Sequence, residues 1–148
     1  MKKITLRRFT VLSFLLMLTA VTVSAQSERI RVINIPFSFI VGQKTLPAGE
    51  YTLEPNRKDS DNVWLVQSKE GHASALFTTN TVRASETQEE ARLVFHRYGG
   101  QYFLSQIWTP GGNAGRELLM PRLESQLAKN SIEHRVIVLA SASASRNN

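Results

Sequence analysis

Apolar and polar residues alternate along most of the chain from residue 29 to residue 108. The runs at 29–35, 37–41 and 63–67 are rich in β-branched and aromatic residues, and clusters of Gly, Pro, Asn and Asp separate them. A period of two places every second side chain on the same face of a strand. The pattern therefore predicts an antiparallel all-β domain of about seven to nine strands.

Two proline-containing stretches predict where the first strands break. Pro36 lacks a backbone N–H and belongs at an edge, a bulge or a break between strand segments. Leu46-Pro47-Ala48-Gly49 has the turn residues of a corner between two strands, and the alternation of Tyr51 and Leu53 after it predicts a strand with those side chains inward. Turn chemistry explains this motif without a ligand.

The clearest predicted element is a hairpin at the centre of the chain. Two glycines separate the alternating runs 91–98 and 101–108, which is a strong signal for a two-residue connection. Strict alternation places Ala91 opposite Trp108 and predicts two different faces. The core face carries Leu93, Phe95, Leu104 and Trp108, and the mixed face carries Arg92, Val94, His96, Phe103, Ser105 and Ile107. The mixed face is either a half-covered second layer or a surface with an apolar patch, and the sequence does not choose between them.

The C-terminal third predicts the only good helix. Residues 121–129 start with a proline that fits a first helical turn, and Leu123 and Leu127 share a face at a spacing of four. The apolar run 135–140 predicts a strand buried on both sides. Residues 83–90 suggest one helical turn at most, and residues 141–148 have nothing to bury and are expected to be disordered.

The N-terminal 25 residues predict export. Lys2, Lys3, Arg7 and Arg8 precede an uncharged apolar run that ends in Val23-Ser24-Ala25, which is the pattern of a cleavable signal peptide. The run is shorter than the roughly 20 residues of a membrane-spanning helix, so an uncleaved anchor is the weaker interpretation. We expect a periplasmic or secreted protein with a single β domain at 26–140.

Charge and cysteine content exclude several classes of protein. The chain has 18 Lys+Arg and 12 Asp+Glu, and four of the basic residues lie in the signal segment, which leaves a net charge of +2. The remaining cations are scattered, whereas a nucleic-acid-binding domain carries them in clusters. The absence of cysteine excludes disulfides, thiolate metal sites and thiol hydrolases.

No catalytic constellation is recognisable, and we predict no enzyme activity, no cofactor and no metal. His72, His96 and His134 are the only histidines, and their spacing is not that of zinc ligands. No serine lies in a Gly-x-Ser-x-Gly motif. An enzyme of unfamiliar mechanism ranks third, after a binding or interaction protein and a carrier of a small ligand.

Aromatic and cationic side chains near the Gly99-Gly100 turn are the candidate binding residues. Arg97 and Tyr102 face each other across the hairpin as a possible cation–π pair, and Phe103 follows directly. Aromatic residues on a β-face bind carbohydrate or peptide in some proteins and stabilise the hairpin in others. We assign Arg97, Tyr102 and Phe103 as the candidate site.

The stretches "NIPFSFIVGQKTLPAGEYTL" and "LVFHRYGGQYFLSQIWTPGGNAGREL" resemble a recurrent group of short exported bacterial β-rich proteins. The shared motif is P-F-x-F-x-V-G followed by L-P-A-G-x-Y. The resemblance runs from about Val32 to Arg122. It implies export and a compact β-rich domain, and it implies no activity.

These observations predict an antiparallel β-sandwich or partly open β-barrel with one short C-terminal helix. The expected role is non-catalytic binding of an envelope or extracellular partner, without nucleic acid and with membrane contact only through the signal segment. The alternative is a carrier of a small apolar ligand inside a barrel. Its interior would be lined by Phe37, Phe39, Trp64, Phe77 and Phe95.

Overall fold

The computed structural model describes residues 30–56 and 62–140. The predicted signal segment, the C-terminal tail and residues 57–61 lie outside the described residues. Ten strands and one helix are present in the described part. They are β1 (Ile30–Ile35), β2 (Phe39–Val41), β3 (Lys44–Leu46), β4 (Gly49–Pro55), β5 (Val63–Ser68), β6 (Ser74–Arg83), β7 (Arg92–Tyr98), β8 (Gln101–Trp108), β9 (Ala114–Leu118), α1 (Arg122–Ala128) and β10 (His134–Leu139).

The strands form one sheet whose main series is antiparallel throughout. Its order is β1-β4-β5-β6-β9-β8, and β7 and β10 continue the series on the other edge of β8. The β2–β3 hairpin joins β8 in parallel through Ile40 and Phe103. The two ends of the series, β1 and β10, approach each other, but no ladder joins them in the described residues. The all-β prediction of a sandwich or open barrel with one short helix is confirmed.

The predicted breaks in the first half of the sheet are present. Pro36 separates β1 from β2, and Gly42 adopts a φ of 60° in the turn between β2 and β3. The Leu46–Gly49 corner joins β3 to β4, and the Tyr51 hydroxyl donates a 2.7 Å hydrogen bond to the Pro47 carbonyl oxygen. Tyr51 thus packs inward as predicted and also ties the corner to the strand that follows it.

Side chains from both halves of the sheet form a single core. The largest fully buried members include Trp64, Tyr51, Phe39 and Phe95. Phe39 meets Tyr51 edge to face at a centroid distance of 5.1 Å and Phe95 at 5.6 Å. Edge-to-face contacts of this kind add to the free energy gained from burying the rings.

A β-bulge at Ser105 changes the predicted faces of the β7–β8 hairpin. Phe95 lies opposite Leu104, as strict alternation requires, but Val94 lies opposite Gln106, so Ser105 is an extra residue. Ile107 therefore joins the core, and Trp108 lies on the opposite face as the partner of Arg92 rather than of Ala91. The predicted assignments of Ile107 and Trp108 were wrong for this reason.

The C-terminal elements also differ from their predictions. Residues 84–91 contain no helical turn, and β9 was not predicted. The helix is confirmed, yet its buried side chain is Glu124, whereas Leu123 is 46% exposed. The strand β10 is an edge strand and not a strand buried on both sides: Val136 and Val138 contact the core, while Ile137 and Leu139 are about half exposed.

Candidate functional site

The structure brings together two of the three predicted site residues at the end of the β7–β8 hairpin. Arg97 and Tyr102 are cross-strand partners, and the guanidinium carbon of Arg97 lies 5.6 Å from the Tyr102 ring centroid. Tyr102 in turn stacks on Phe37, with centroids 4.0 Å apart and an interplanar angle of 16°. These three side chains form a continuous stack at one end of the core.

This stack is largely satisfied by its own contacts. The Nε of Arg97 donates a 2.8 Å hydrogen bond to the Gly99 carbonyl oxygen of the adjoining turn. Tyr102 is half-buried and packs against the core cluster. The geometry is that of a hairpin end held together by aromatic packing, with the exposed Arg97 at its outer side.

Phe103 does not belong to the same surface. It lies opposite His96 on the other face of the hairpin, and only 1% of it is exposed. A side chain this deeply buried has no surface with which to contact a partner. Phe103 therefore does not fit the predicted binding role.

The face that carries Phe103 is a second apolar layer. Val94, Tyr98, Phe103 and Trp108 are buried on it without belonging to the main core cluster. The segment between β9 and β10 reaches this face through Glu124 and Glu133, which contact side chains of β7. The mixed face predicted from sequence is thus a half-covered second layer.

Four polar side chains join this segment to β7. The Nδ1 of His96 lies 2.7 Å from Oε1 of Glu124, and its Nε2 lies 3.6 Å from Oε1 of Glu133. The Tyr98 hydroxyl donates to Oε2 of Glu133 at 3.2 Å. We call His96, Tyr98, Glu124 and Glu133 the His96 cluster.

Burial and charge set the proton affinities in this cluster. The hydrogen bond to Glu124 raises the pKa of His96 above its ordinary value of 6.5, against the opposing effect of burial. Burial, with the two nearby carboxylates, raises the pKa of Tyr98 to about 12. The tyrosine hydroxyl is therefore a neutral donor at neutral pH.

Sequence reasoning considered the three histidines as surface or hairpin residues and, less favourably, as metal ligands, and it missed this cluster. The sequence carried no clear signal of it, because Glu124 lies in the first turn of the helix, where an acidic residue is common whether or not it is buried. A helix that packs on a sheet normally turns apolar side chains toward it. A buried carboxylate at such a position requires a partner on the sheet.

Exposed apolar side chains are concentrated near the C-terminal end of the described residues. Ile137 and Leu139 project from the same face of β10 and are 50% and 54% exposed. Leu123 on α1 and Ile132 before β10 are also exposed. We call these side chains, with the exposed cations of the same part of the chain, the β10 surface: Arg122, Leu123, Lys129, Ile132, Arg135, Ile137 and Leu139.

The cations of this surface have no carboxylate partner in the described residues. Arg122, Lys129 and Arg135 are all exposed, and the salt bridges of residues 30–56 and 62–140 do not include them. Arg135 lowers the pKa of His96 by charge repulsion, which places it near the cluster. The β10 surface therefore combines exposed apolar side chains with three exposed cations, while the loop beside Leu139 carries Glu86, Glu89 and Glu90.

An open groove of about 510 Å³ adjoins this surface. It is lined by residues 84–90 together with Arg92 and Leu139. Backbone hydrogen bonds from Ala84 to Asn113 and from Gln88 to Gly112 fix the loop that forms its wall. The groove extends the accessible area around Leu139.

The aromatic side chains proposed to line a carrier's interior contact one another. Phe37 meets Phe95 at 5.2 Å, and Phe95 meets Phe39 at 5.6 Å. Rings at these distances leave no room for a ligand between them. This packing weighs against an apolar ligand in that part of the sheet.

Comparisons with known proteins give no relative. No family model, no curated protein and no solved structure matches the chain. Within residues 30–56 and 62–140, no helix is long and apolar enough to cross a membrane. The same residues contain no group of three or more His, Asp or Glu side chains arranged to hold a metal ion.

Proposed function

We propose that this protein is an exported, non-catalytic interaction module of the cell envelope that binds a partner protein through the β10 surface. The observation that carries the proposal is the half exposure of Ile137 and Leu139 on an edge strand. Exposed apolar side chains that share one face mark contact surfaces more often than single scattered ones do. The expectation of export comes from the N-terminal sequence.

The edge of β10 favours a protein as the partner. One edge pairs with β7, and no strand of the described residues pairs with the other. A bound polypeptide segment supplies backbone hydrogen bonds to such an edge and side chains to the adjoining face. The acyl chains of a bilayer supply no hydrogen bonds, so a lipid surface fits this edge less well.

Charge favours a partner with an acidic border. The exposed cations Arg122, Lys129 and Arg135 lie within three residues of Leu123, Ile132 and Ile137 along the chain. An acidic segment with apolar residues would complement these cations and contact the apolar side chains. We therefore propose a different protein that presents an extended acidic and apolar segment.

The proposal is tested by site-specific photo-crosslinking in the native envelope. A photoreactive amino acid is placed at position 137, and the control is placed at position 76, because Leu76 is 59% exposed on β6 and lies outside the β10 surface. We expect a discrete adduct from position 137 alone. The adduct is identified by mass spectrometry and the partner is purified for a binding assay.

The purified partner must then discriminate between two matched variants. Ile137→Lys is expected to weaken binding at least about tenfold, since it buries a charge in the contact, and Leu76→Lys is expected to leave the affinity unchanged. Equal crosslinking at both positions, equal affinity of the two variants, a homodimer, or binding only to anionic lipid vesicles would contradict the proposal.

A further inference from the structure

The His96 cluster joins side chains from three parts of the chain. Glu124 comes from α1, Glu133 from the segment that leads into β10, and His96 and Tyr98 from β7. We propose that His96 and Glu124 form a pH-dependent latch that keeps α1 on the sheet and so keeps the β10 surface assembled. The regulatory part of this inference rests on the proposed function.

The helix depends on this contact for its stability. It has seven residues, no side-chain hydrogen bond at its N-terminus and no basic residue in its last turn. Isolated helices of fewer than about 12 residues are marginal in water even with favourable sequences. Since Glu124 is its only buried residue, the contact with His96 is the main link between α1 and β7.

The charges around His96 favour its protonated form. Glu124 contacts it from α1 and Glu133 from the segment before β10, while Arg135 on β10 opposes them. Tyr98, the neighbour on β7, stays neutral and donates to Glu133. Two carboxylates against one guanidinium leave the imidazolium with a net attraction.

Deprotonation therefore weakens the latch. The pKa of His96 is higher in the folded than in the unfolded state. The stabilisation by the latch is therefore complete when the pH is below 6.5, the pKa of the unfolded state, and it disappears as the pH rises through the pKa of the folded state. Above that pH, Glu124 is a buried carboxylate without a positive partner, which is unfavourable. Undocking exposes the carboxylate to water and melts the helix.

Release of α1 changes the binding surface itself. Arg122 and Leu123 lie on α1 and Lys129 follows it directly, so their positions relative to β10 are fixed only while the helix is docked. Ile137 and Leu139 stay on β10, which is paired with β7 along its whole length. We therefore expect the partner to bind more tightly at acidic than at alkaline pH.

The test combines a readout of the helix with a readout of binding. Amide hydrogen exchange of the whole protein gives protection factors for α1, corrected for the intrinsic exchange rate at each pH, with the β5 amides as an internal reference. Between about pH 5.5 and about pH 8.5 we expect the protection of α1 to fall by about tenfold or more while that of β5 stays constant. The yield of the crosslink from position 137 is expected to fall in parallel.

Two variants separate the latch from other pH effects. His96→Gln keeps a side-chain donor for Glu124 but does not titrate. The protection of α1 and the crosslink yield from position 137 should therefore both become independent of pH. Glu124→Gln removes the charge that favours the imidazolium and should flatten them as well, which keeps the test decisive if the first variant does not fold.

The outcomes distinguish the two proposals. Constant protection of α1 in the wild type, or the same pH dependence in both variants, overturns the latch and leaves the proposed function standing. A protection change without any change in crosslink yield overturns the regulatory part. If the protection of α1 changes with pH as expected but position 137 gives no adduct at any pH, the proposed function is overturned and the latch is not.

Discussion

The indole ring of Trp108 lies directly against the backbone of Gly115. The two residues are partners in the β8–β9 ladder, and a Cβ atom at position 115 would lie 2.5 Å from Cε3 of the indole. On the neighbouring strand Arg92 pairs with Trp108 and places its guanidinium carbon 5.3 Å from the ring centroid. A row across three strands thus holds the indole in one position, and the absence of a side chain at Gly115 makes room for it.

Gly115→Ala is therefore expected to destabilise the protein. The added methyl group meets a ring held in place rather than the end of a flexible side chain, and overpacking of this kind costs about 1–3 kcal/mol. Urea unfolding followed by tryptophan fluorescence measures the change. Gly100→Ala is the control, because a Cβ at Gly100 meets no atom within 4 Å, and an equal loss of stability in both variants would contradict the explanation.

The same row shows where sequence reasoning stopped. Alternation predicted the β7–β8 hairpin and its turn, but it could not reveal the extra residue at Ser105, because Ile107 and Trp108 are both apolar and either could face the core. One conflict in the sequence indicated a departure from alternation: strict alternation puts the polar Gln106 on the core face. A bulge removes that conflict and reverses the faces of all residues beyond it.

The candidate surface was less predictable than the fold. The apolar run of β10 has the composition of a fully buried strand, and only its position at the sheet edge leaves Ile137 and Leu139 exposed. Strand order depends on contacts between distant residues, which local patterns do not encode. The His96 cluster joins residues 28 and more positions apart and was hidden for the same reason.

The hydroxyl of Tyr51 is expected to stabilise the corner that precedes β4. Tyr51→Phe removes its 2.7 Å hydrogen bond to the Pro47 carbonyl oxygen and leaves the packed ring unchanged. The loss should be about 1 kcal/mol, the usual net value of such a bond. Chemical denaturation gives the difference. Tyr102→Phe serves as the control, since the hydroxyl of Tyr102 makes no hydrogen bond within the described residues, and it should change the stability little.

The stack at the hairpin end predicts unequal effects for its middle member, Tyr102, and for Arg97, which lies over the Tyr102 ring. Tyr102→Ala removes a half-buried ring that stacks on Phe37, so a loss of about 2 kcal/mol is expected. Arg97→Ala removes an exposed cation–π contact worth less than about 1 kcal/mol. Thermal unfolding of both variants compares them. If Arg97→Ala proved the more destabilising, the hydrogen bond of Arg97 to Gly99 would have to stabilise the turn more than the aromatic packing does.

The free energy of unfolding is expected to depend on pH through His96. The hydrogen bond to Glu124 raises the pKa of His96 in the folded state above 6.5. At a pH between the pKa of the unfolded state and that of the folded state, folding is therefore accompanied by proton uptake. The wild type should therefore lose stability relative to His96→Gln as the pH rises through this window, and the difference should be constant below it. Urea unfolding of both proteins at a series of pH values measures the difference directly. A difference that stays constant or increases toward alkaline pH would show that the imidazole is not held in its charged form by Glu124.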